Sequence, residues 1–162
     1  MLRKATLLIF FLVISAMFFS QPNWVHADEG VPVEAEAIQP PDDTDFHHGK
    51  KCTRFTRGSH WVDVCVAVDV HDWLYYKQGI VQFTRSYSGP NVGGNVTLYN
   101  SQGQNLIDSG WTWGTGSSFN IVSGWVNPRF NCYHAVADIA IYWPDGHLQT
   151  VNGLTSDPPY CH

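Results

Sequence analysis

The segment of residues 60–72 constrains the fold more than any other part of the sequence. Its even positions from 62 to 70 are all valine, whereas its odd positions include Trp61, Asp63, Asp69 and His71. Successive side chains of a β-strand point to opposite faces, so this period of two predicts a long strand with valines on its buried face. A helix would scatter the same valines around its axis.

Seven further segments have strand character, and turn residues such as Gly58-Ser59 and Pro144-Asp145-Gly146 separate them. Eight short strands without a helical stripe predict an all-β fold, an antiparallel β-sandwich, with a small barrel as the alternative. The predicted strands cover residues 51–57, 60–72, 79–87, 95–100, 104–113, 118–126, 131–143 and 147–152.

The first hairpin predicts one disulfide. If Gly58-Ser59 is a two-residue loop, Arg54 lies opposite Asp63, and Cys52 lies opposite Cys65. Both pairs fall in the closer, non-hydrogen-bonded class, in which Cβ atoms lie about 4.5–5.5 Å apart. That spacing is near the one a disulfide needs, so the register predicts a Cys52–Cys65 bond.

Elimination then pairs Cys132 with Cys161. Pro158-Pro159 cannot donate to a ladder, so we expect this bond to pin the C-terminal tail outside the sheet. The rival connectivity joins Cys52 to Cys161 and Cys65 to Cys132, which would close longer loops. Sequence alone leaves both connectivities open.

The N-terminus has the three parts of a secretory signal. Arg3-Lys4 precedes an apolar run over residues 5–19, and small or aliphatic residues stand before Asp28. The run is shorter than the roughly 20 residues of a membrane span, so we expect cleavage after Ala27 rather than a stable membrane anchor. Residues 1–27 thus predict an exported protein, extracellular or periplasmic, in an oxidising compartment that favours disulfides.

An acidic leader follows the signal. Residues 28–45 carry seven acidic side chains and no Lys or Arg, which is typical of a disordered tether or propeptide over residues 28–49. The remaining domain, residues 50–162, has balanced Lys/Arg and Asp/Glu charge. Nucleic-acid binding depends on Lys and Arg neutralising phosphates, so this charge distribution argues against a nucleic-acid partner.

Five Asp and His residues on two predicted strands are the candidates for catalysis. They would gather as metal ligands or an acid/base pair only if the two strands were neighbours in one sheet; otherwise they belong to faces that contact water. The residues are Asp63, Asp69 and His71 on the first strand, and His134 and Asp138 on the second, whose polar face also carries Tyr142.

Other catalytic and metal signatures are weak. No G-x-S-x-G elbow occurs, every cysteine is expected to be paired, and the sequence after Phe46 contains no Glu. His47-His48 lies near acidic residues, but adjacent histidines do not easily serve one ion from a rigid element. We therefore predict no catalytic residue, metal or cofactor, and a hydrolase is the least favoured class.

Trp111 and Trp113 are the strongest binding candidates. Residues two apart on a strand share a face, and the Gly114-Thr115-Gly116 turn follows directly. Two indoles beside polar donors make a surface on which sugar rings can stack. The alternative is that both pack into the core, as tryptophan commonly does. The further candidates are Trp73, Tyr75, Tyr76 and Trp125.

These observations predict a secreted, non-enzymatic binding module whose partner is an extracellular glycan or a surface protein. The second hypothesis is a small secreted effector, an inhibitor or toxin, that acts on proteins or membranes. Exposure of Trp111 and Trp113 would favour binding, because buried indoles cannot contact a ligand.

Overall fold

The computed structural model describes residues 33–38, 47–71, 76–89, 91–127 and 132–161, which lie within the unit Val31–His162. All the regular elements of these residues are β-strands. In chain order the strands are β1 (Val33–Ile38), β2 (His47–Arg57), β3 (His60–His71), β4 (Tyr76–Arg85), β5 (Val92–Asn100), β6 (Asn105–Asp108), β7 (Thr112–Gly114), β8 (Ser118–Val122), β9 (Cys132–Tyr142), β10 (Leu148–Thr155) and β11 (Tyr160–Cys161).

The strands form two antiparallel sheets. Sheet A has the order β1-β2-β3-β4-β8. Sheet B has the order β10-β9-β5-β6, with β7 also pairing with β5, and β11 with β9. The antiparallel β-sandwich expected from the sequence is therefore confirmed.

The core lies between the two sheets and follows the alternation of the sequence. Val62, Val66 and Val70 of β3 belong to the same buried cluster as Ala137 and Ile139 of β9. Full burial of a valine or isoleucine side chain contributes about 1.5–3 kcal/mol relative to leaving it in water. The outer face of each sheet, opposite this core, is where polar and exposed side chains accumulate.

The first hairpin has the predicted register. Gly58 has a φ of 61°, which L-residues with side chains rarely adopt, and Arg54 and Cys52 lie opposite Asp63 and Cys65. Cys52 and Cys65 form a disulfide with their Cα atoms 4.0 Å apart. The local connectivity is therefore confirmed.

The second disulfide joins Cys132 and Cys161, as predicted. Our expectation that this bond would lie outside the ladder was wrong. The two-residue strand β11 pairs with β9, so that Tyr160 lies opposite Tyr133 and Cys161 opposite Cys132. Pro159 removes a donor only at its own position, and the residues directly after it can still pair.

Strand structure extends N-terminal to the predicted domain start. β1 lies within the segment expected to be disordered and pairs along β2, and β2 begins at His47 rather than near Lys50. The signal segment, the cleavage position after Ala27, and residues 28–32 and 39–46 of the leader lie outside the described residues. Within the described part of the chain, no helix has the length and hydropathy of a membrane span.

The predicted strand over residues 104–113 is divided in two. β6 ends at Asp108, and Gly110 turns the chain with a φ of 67° while its N–H donates to the Asp108 carboxylate. The Ser109 hydroxyl accepts from the N–H of Val96 at 2.9 Å. Trp111 therefore precedes β7 instead of sharing a continuous strand with Trp113.

Candidate functional site

Trp111 and Trp113 are exposed. Their relative exposures are 47% and 43%, so the alternative in which both pack into the core does not hold. The two ring centroids lie 5.8 Å apart, and the ring planes meet at 64°. The indoles thus form a corner that is open to solvent.

Tyr142 extends this corner across the outer face of sheet B. Its ring centroid lies 5.6 Å from that of Trp113, at an interplanar angle of 34°, and its side chain is exposed. Leu148, also exposed, lies opposite Tyr142 on β10. We call Trp111, Trp113 and Tyr142 the aromatic platform, with Leu148 at its β10 end.

Small residues form the floor beside the platform. Trp113 lies opposite Gly93, and Gly93 in turn lies opposite Ala140 of β9. A Cβ atom on Gly93 would stand 2.5 Å from Cε3 of Trp113 and 2.7 Å from the carbonyl oxygen of Thr112. Glycine is therefore required at this position for the indole to lie against the sheet.

Polar side chains border the floor on one side. Asn95 and Asp138 form the next cross-strand pair on the same face. They lie two residues, or about 7 Å, along the strands from Gly93 and Ala140. The Asp138 carboxylate accepts from the N–H of Gly153 at 2.8 Å. Hydrogen-bonding groups thus lie beside an apolar surface, the combination typical of small-molecule sites.

Two buried side chains support the platform from the other sheet. Arg85 of β4 donates from Nε to the carbonyl of Gly116 at 2.9 Å and from Nη2 to the carbonyl of Thr115, which fixes the loop after Trp113. The Tyr87 hydroxyl donates to the carbonyl of Tyr142 at 3.1 Å. Burial raises the pKa of Tyr87, so its hydroxyl stays protonated as a donor.

The part of the chain that carries the platform contributes acidic but no basic side chains. The described residues 91–127 and 132–161, which include all the strands of sheet B, contain no Lys or Arg. The same ranges contain Asp108, Asp138, Asp145 and Asp157. Within these described ranges, sheet B thus contributes carboxylates and no Lys or Arg to the surface, whereas Arg85 of sheet A is buried where it contacts the loop after Trp113.

The other predicted binding residues do not join the platform. Tyr76 lies opposite His71 on sheet A, and the His71 ring meets the ring of Trp125 edge-on at 5.9 Å. Tyr76 and Trp125 are exposed, Trp125 to 43%. Trp73 and Tyr75 lie outside the described residues. The described candidates therefore divide into two clusters on different sheets.

The five polar candidates for catalysis do not converge. Asp63, Asp69 and His71 lie on β3 of sheet A, and His134 and Asp138 lie with Tyr142 on β9 of sheet B, in each case facing away from the shared core. Packed sheets stand about 10 Å apart, so the core separates the two sets.

Internal contacts already engage the carboxylates of β3. Asp63 accepts two hydrogen bonds from Arg54, at 2.7 and 2.8 Å, and Asp69 accepts one from Gln78 at 2.7 Å. His47 Nδ1 lies 3.7 Å from Asp69. Among the residues that the structure describes, no three His, Cys, Asp or Glu side chains form a group able to hold a metal ion.

A cleft of about 210 Å³ lies where the β2–β3 and β9–β10 turns meet. Its volume is below the roughly 300–1,000 Å³ of typical ligand sites. An ion pair between Arg57 and Asp145, with Nε and Oδ2 2.6 Å apart, occupies part of its wall. The cleft is lined by Arg57, Gly58, Ser59, His60, Trp143, Pro144 and Asp145.

Sequence reasoning missed the floor and the third aromatic side chain. The sequence pattern places Tyr142 on the polar face of its strand, whereas its proximity to Trp113 depends on β5 lying between β7 and β9. The pair Gly93-Gly94 directly before the predicted strand 95–100 was an available signal, because glycine in or beside a strand marks close approach of another group.

No protein-family model matches the chain, and no curated protein is significantly similar to it in sequence.

Proposed function

We propose that this domain is a secreted, non-enzymatic module that binds carbohydrate on the aromatic platform. The observation that carries the proposal is the contiguity of three exposed rings, with successive centroids 5.8 and 5.6 Å apart, beside a floor of Gly93 and Ala140. Isolated exposed aromatic residues are common on protein surfaces, whereas contiguous ones mark interaction sites.

The chemistry of the surface suits a sugar. A sugar ring has apolar C–H faces, which pack against indole and phenol rings, and hydroxyl groups at its edge, which need hydrogen-bond partners. The platform supplies the rings, and Asn95, Asp138 and the exposed Thr150 supply polar groups on or beside the same face. Export and the two disulfides fit an extracellular ligand.

An effector that acts on membranes or on another protein is the second candidate. Leu148 favours it, since an exposed aliphatic side chain beside aromatic rings extends the apolar patch without offering a hydrogen bond. Such a protein would use the same platform, so the two candidates differ in ligand rather than in site.

The test compares two changes that each remove exposed tryptophan. The double variant Trp111→Ala/Trp113→Ala should lose about 100-fold or more in glycan affinity on an array of extracellular oligosaccharides, because buried aromatic anchors each contribute about 2 kcal/mol or more. Trp125→Ala is the matched control, since Trp125 is as exposed as Trp113 but contacts His71 of sheet A. Its affinity should stay within about twofold.

Thermal unfolding of both variants checks that the fold is intact. Unchanged retention by the double variant, or an equal loss in Trp125→Ala, would contradict the proposal. Leakage of phosphatidylcholine vesicles that depends on Trp111 and Trp113, without glycan retention, would instead establish the effector.

A further inference from the structure

We infer that the ligand of the aromatic platform is a single, uncharged glycan chain, and neither an acidic glycan nor the flat surface of a crystalline polysaccharide. This inference rests on the proposed carbohydrate-binding function and names its ligand class. Two independent properties of the site carry it: the angles between the rings and the charge of the surrounding surface.

The rings of the platform do not share a plane. Trp111 and Trp113 meet at 64°, and Trp113 and Tyr142 meet at 34°. A flat, rigid surface can lie against several rings at once only when those rings are coplanar. A surface laid on Trp113 would therefore meet Trp111 at its edge and would lose the stacking contact with it.

A single chain satisfies the same geometry. The torsions of a glycosidic linkage let successive sugar rings tilt, so one ring can pack on Trp113 while its neighbour packs on Trp111 or Tyr142. The aromatic ring centroids are 5.8 and 5.6 Å apart, so two adjacent sugars of one chain can contact two adjacent side chains of the platform. The angles between the platform rings thus favour binding of a ligand that can bend along its length.

The charge around the platform selects against acidic ligands. Sheet B carries Asp108 and Asp138 on its described strands and no Lys or Arg there. Asp138 lies in the cross-strand row next to the floor residue Ala140. A uronate or sulfate group on the ligand would be repelled by this carboxylate, whereas a sugar hydroxyl can donate a hydrogen bond to it.

The experiment measures binding of the mature protein to three forms of glycan. The probes are soluble neutral oligosaccharides of the β-1,4-linked glucose, mannose, xylose and N-acetylglucosamine series, crystalline cellulose and chitin, and soluble oligogalacturonate. We expect saturable binding to a neutral soluble series and retention on the crystalline polymers no greater than that of Trp111→Ala/Trp113→Ala. Oligogalacturonate should bind at least about fivefold more weakly than the neutral oligosaccharides. This factor corresponds to the repulsion of about 1 kcal/mol between two unit charges about 4 Å apart in water.

Asp138→Asn tests the charge argument at one residue. The amide oxygen can still accept from Gly153, so the fold should persist, while the preference for neutral over acidic oligosaccharides should narrow several-fold at low salt. Asp157→Asn is the control, because it removes an equal charge beside β11 near Gly49, away from the platform. It should leave the preference unchanged.

The outcomes separate the inference from the function on which it rests. Tighter binding to crystalline polymer than to soluble chains, or a preference for oligogalacturonate, would overturn the inference while carbohydrate binding stands. Failure to retain any glycan in all three forms would overturn the proposed function itself. An unaltered preference in Asp138→Asn would remove the assigned role of that carboxylate.

Discussion

Tryptophan side chains on the outer faces of the two sheets have different neighbours. On sheet A, the guanidinium of Arg54 lies over the ring of Trp61 at 4.8 Å and is itself held by Asp63. On sheet B, Trp113 lies against Gly93, and its relative exposure is 43%. The cation of Arg54 covers a face of the Trp61 indole within the protein. Trp113 lies with one face against glycine, so its opposite face is left for a ligand.

Exposure alone does not separate the two sheets. Trp125 and Trp113 are both 43% exposed, yet Trp125 meets the ring of His71 of sheet A edge-on, and Trp113 stands between two further rings of the platform. The neighbours of an aromatic side chain, rather than its exposed area, therefore decide whether a ligand can stack on it.

Among substitutions that test this difference between the sheets, Gly93→Ala should have the largest effect on stability and glycan affinity. The new Cβ would stand 2.5 Å from the Trp113 ring and 2.7 Å from the backbone oxygen of Thr112, so the indole and β7 must both move. We expect a loss of about 1–3 kcal/mol in stability from overpacking and a loss of about tenfold or more in glycan affinity. Chemical denaturation and glycan titration measure the two quantities.

Gly79→Ala is the matched control on sheet A. Its Cβ would meet Cγ2 of Val96 at 3.0 Å in the core, so stability should fall while glycan affinity stays within about twofold. If Gly79→Ala weakened glycan binding as much as Gly93→Ala, the affinity loss would reflect general destabilisation, and the assigned role of the floor would be wrong.

A smaller effect is expected from Arg54→Ala. The change removes two hydrogen bonds to Asp63 and uncovers Trp61. Because the pair is partly exposed to solvent, we expect a loss of about 1 kcal/mol in the free energy of unfolding, measured by denaturant titration. Glycan affinity should not change. New glycan binding through Trp61 would contradict the difference between the two sheets, because it would show that an uncovered indole is sufficient for glycan binding without neighbouring rings.

The smallest effect should come from Asp145→Asn, which alters an ion pair between the sheets. Arg57 of β2 donates from Nε to Asp145 in the β9–β10 turn at 2.6 Å, and the N–H of His147 also donates to it. The hydrogen bond from Arg57, followed by that from His147, lowers the pKa of the Asp145 carboxyl.

A carboxyl whose pKa is lower in the folded than in the unfolded state stabilises the fold above its ordinary pKa, and this stabilisation is lost as pH falls through the lowered value. The melting temperature of the natural protein should therefore drop more steeply below about pH 4 than that of Asp145→Asn. Parallel profiles between about pH 2 and pH 7 would show that the pair contributes nothing measurable to stability.

The sequence alone predicted the features that depend on short-range geometry. The valine alternation of residues 60–72 predicted a strand with one buried face, and the Gly58-Ser59 loop predicted the partners of Arg54 and Cys52. These inferences succeeded because a two-residue loop fixes the register of the strands it joins. The Cys132–Cys161 bond followed by elimination, although its place within a short ladder did not.

The tertiary structure alone decided which aromatic residues form a surface. Trp113 and Tyr142 belong to strands that do not pair with each other, and they meet because β5 pairs with both β7 and β9. Neither periodicity nor composition encodes that pairing, because the strands are distant in sequence and their order in the sheet depends on the packing of the whole core. The sequence determined the class of fold and the first hairpin, and the packing of sheet B determined the platform.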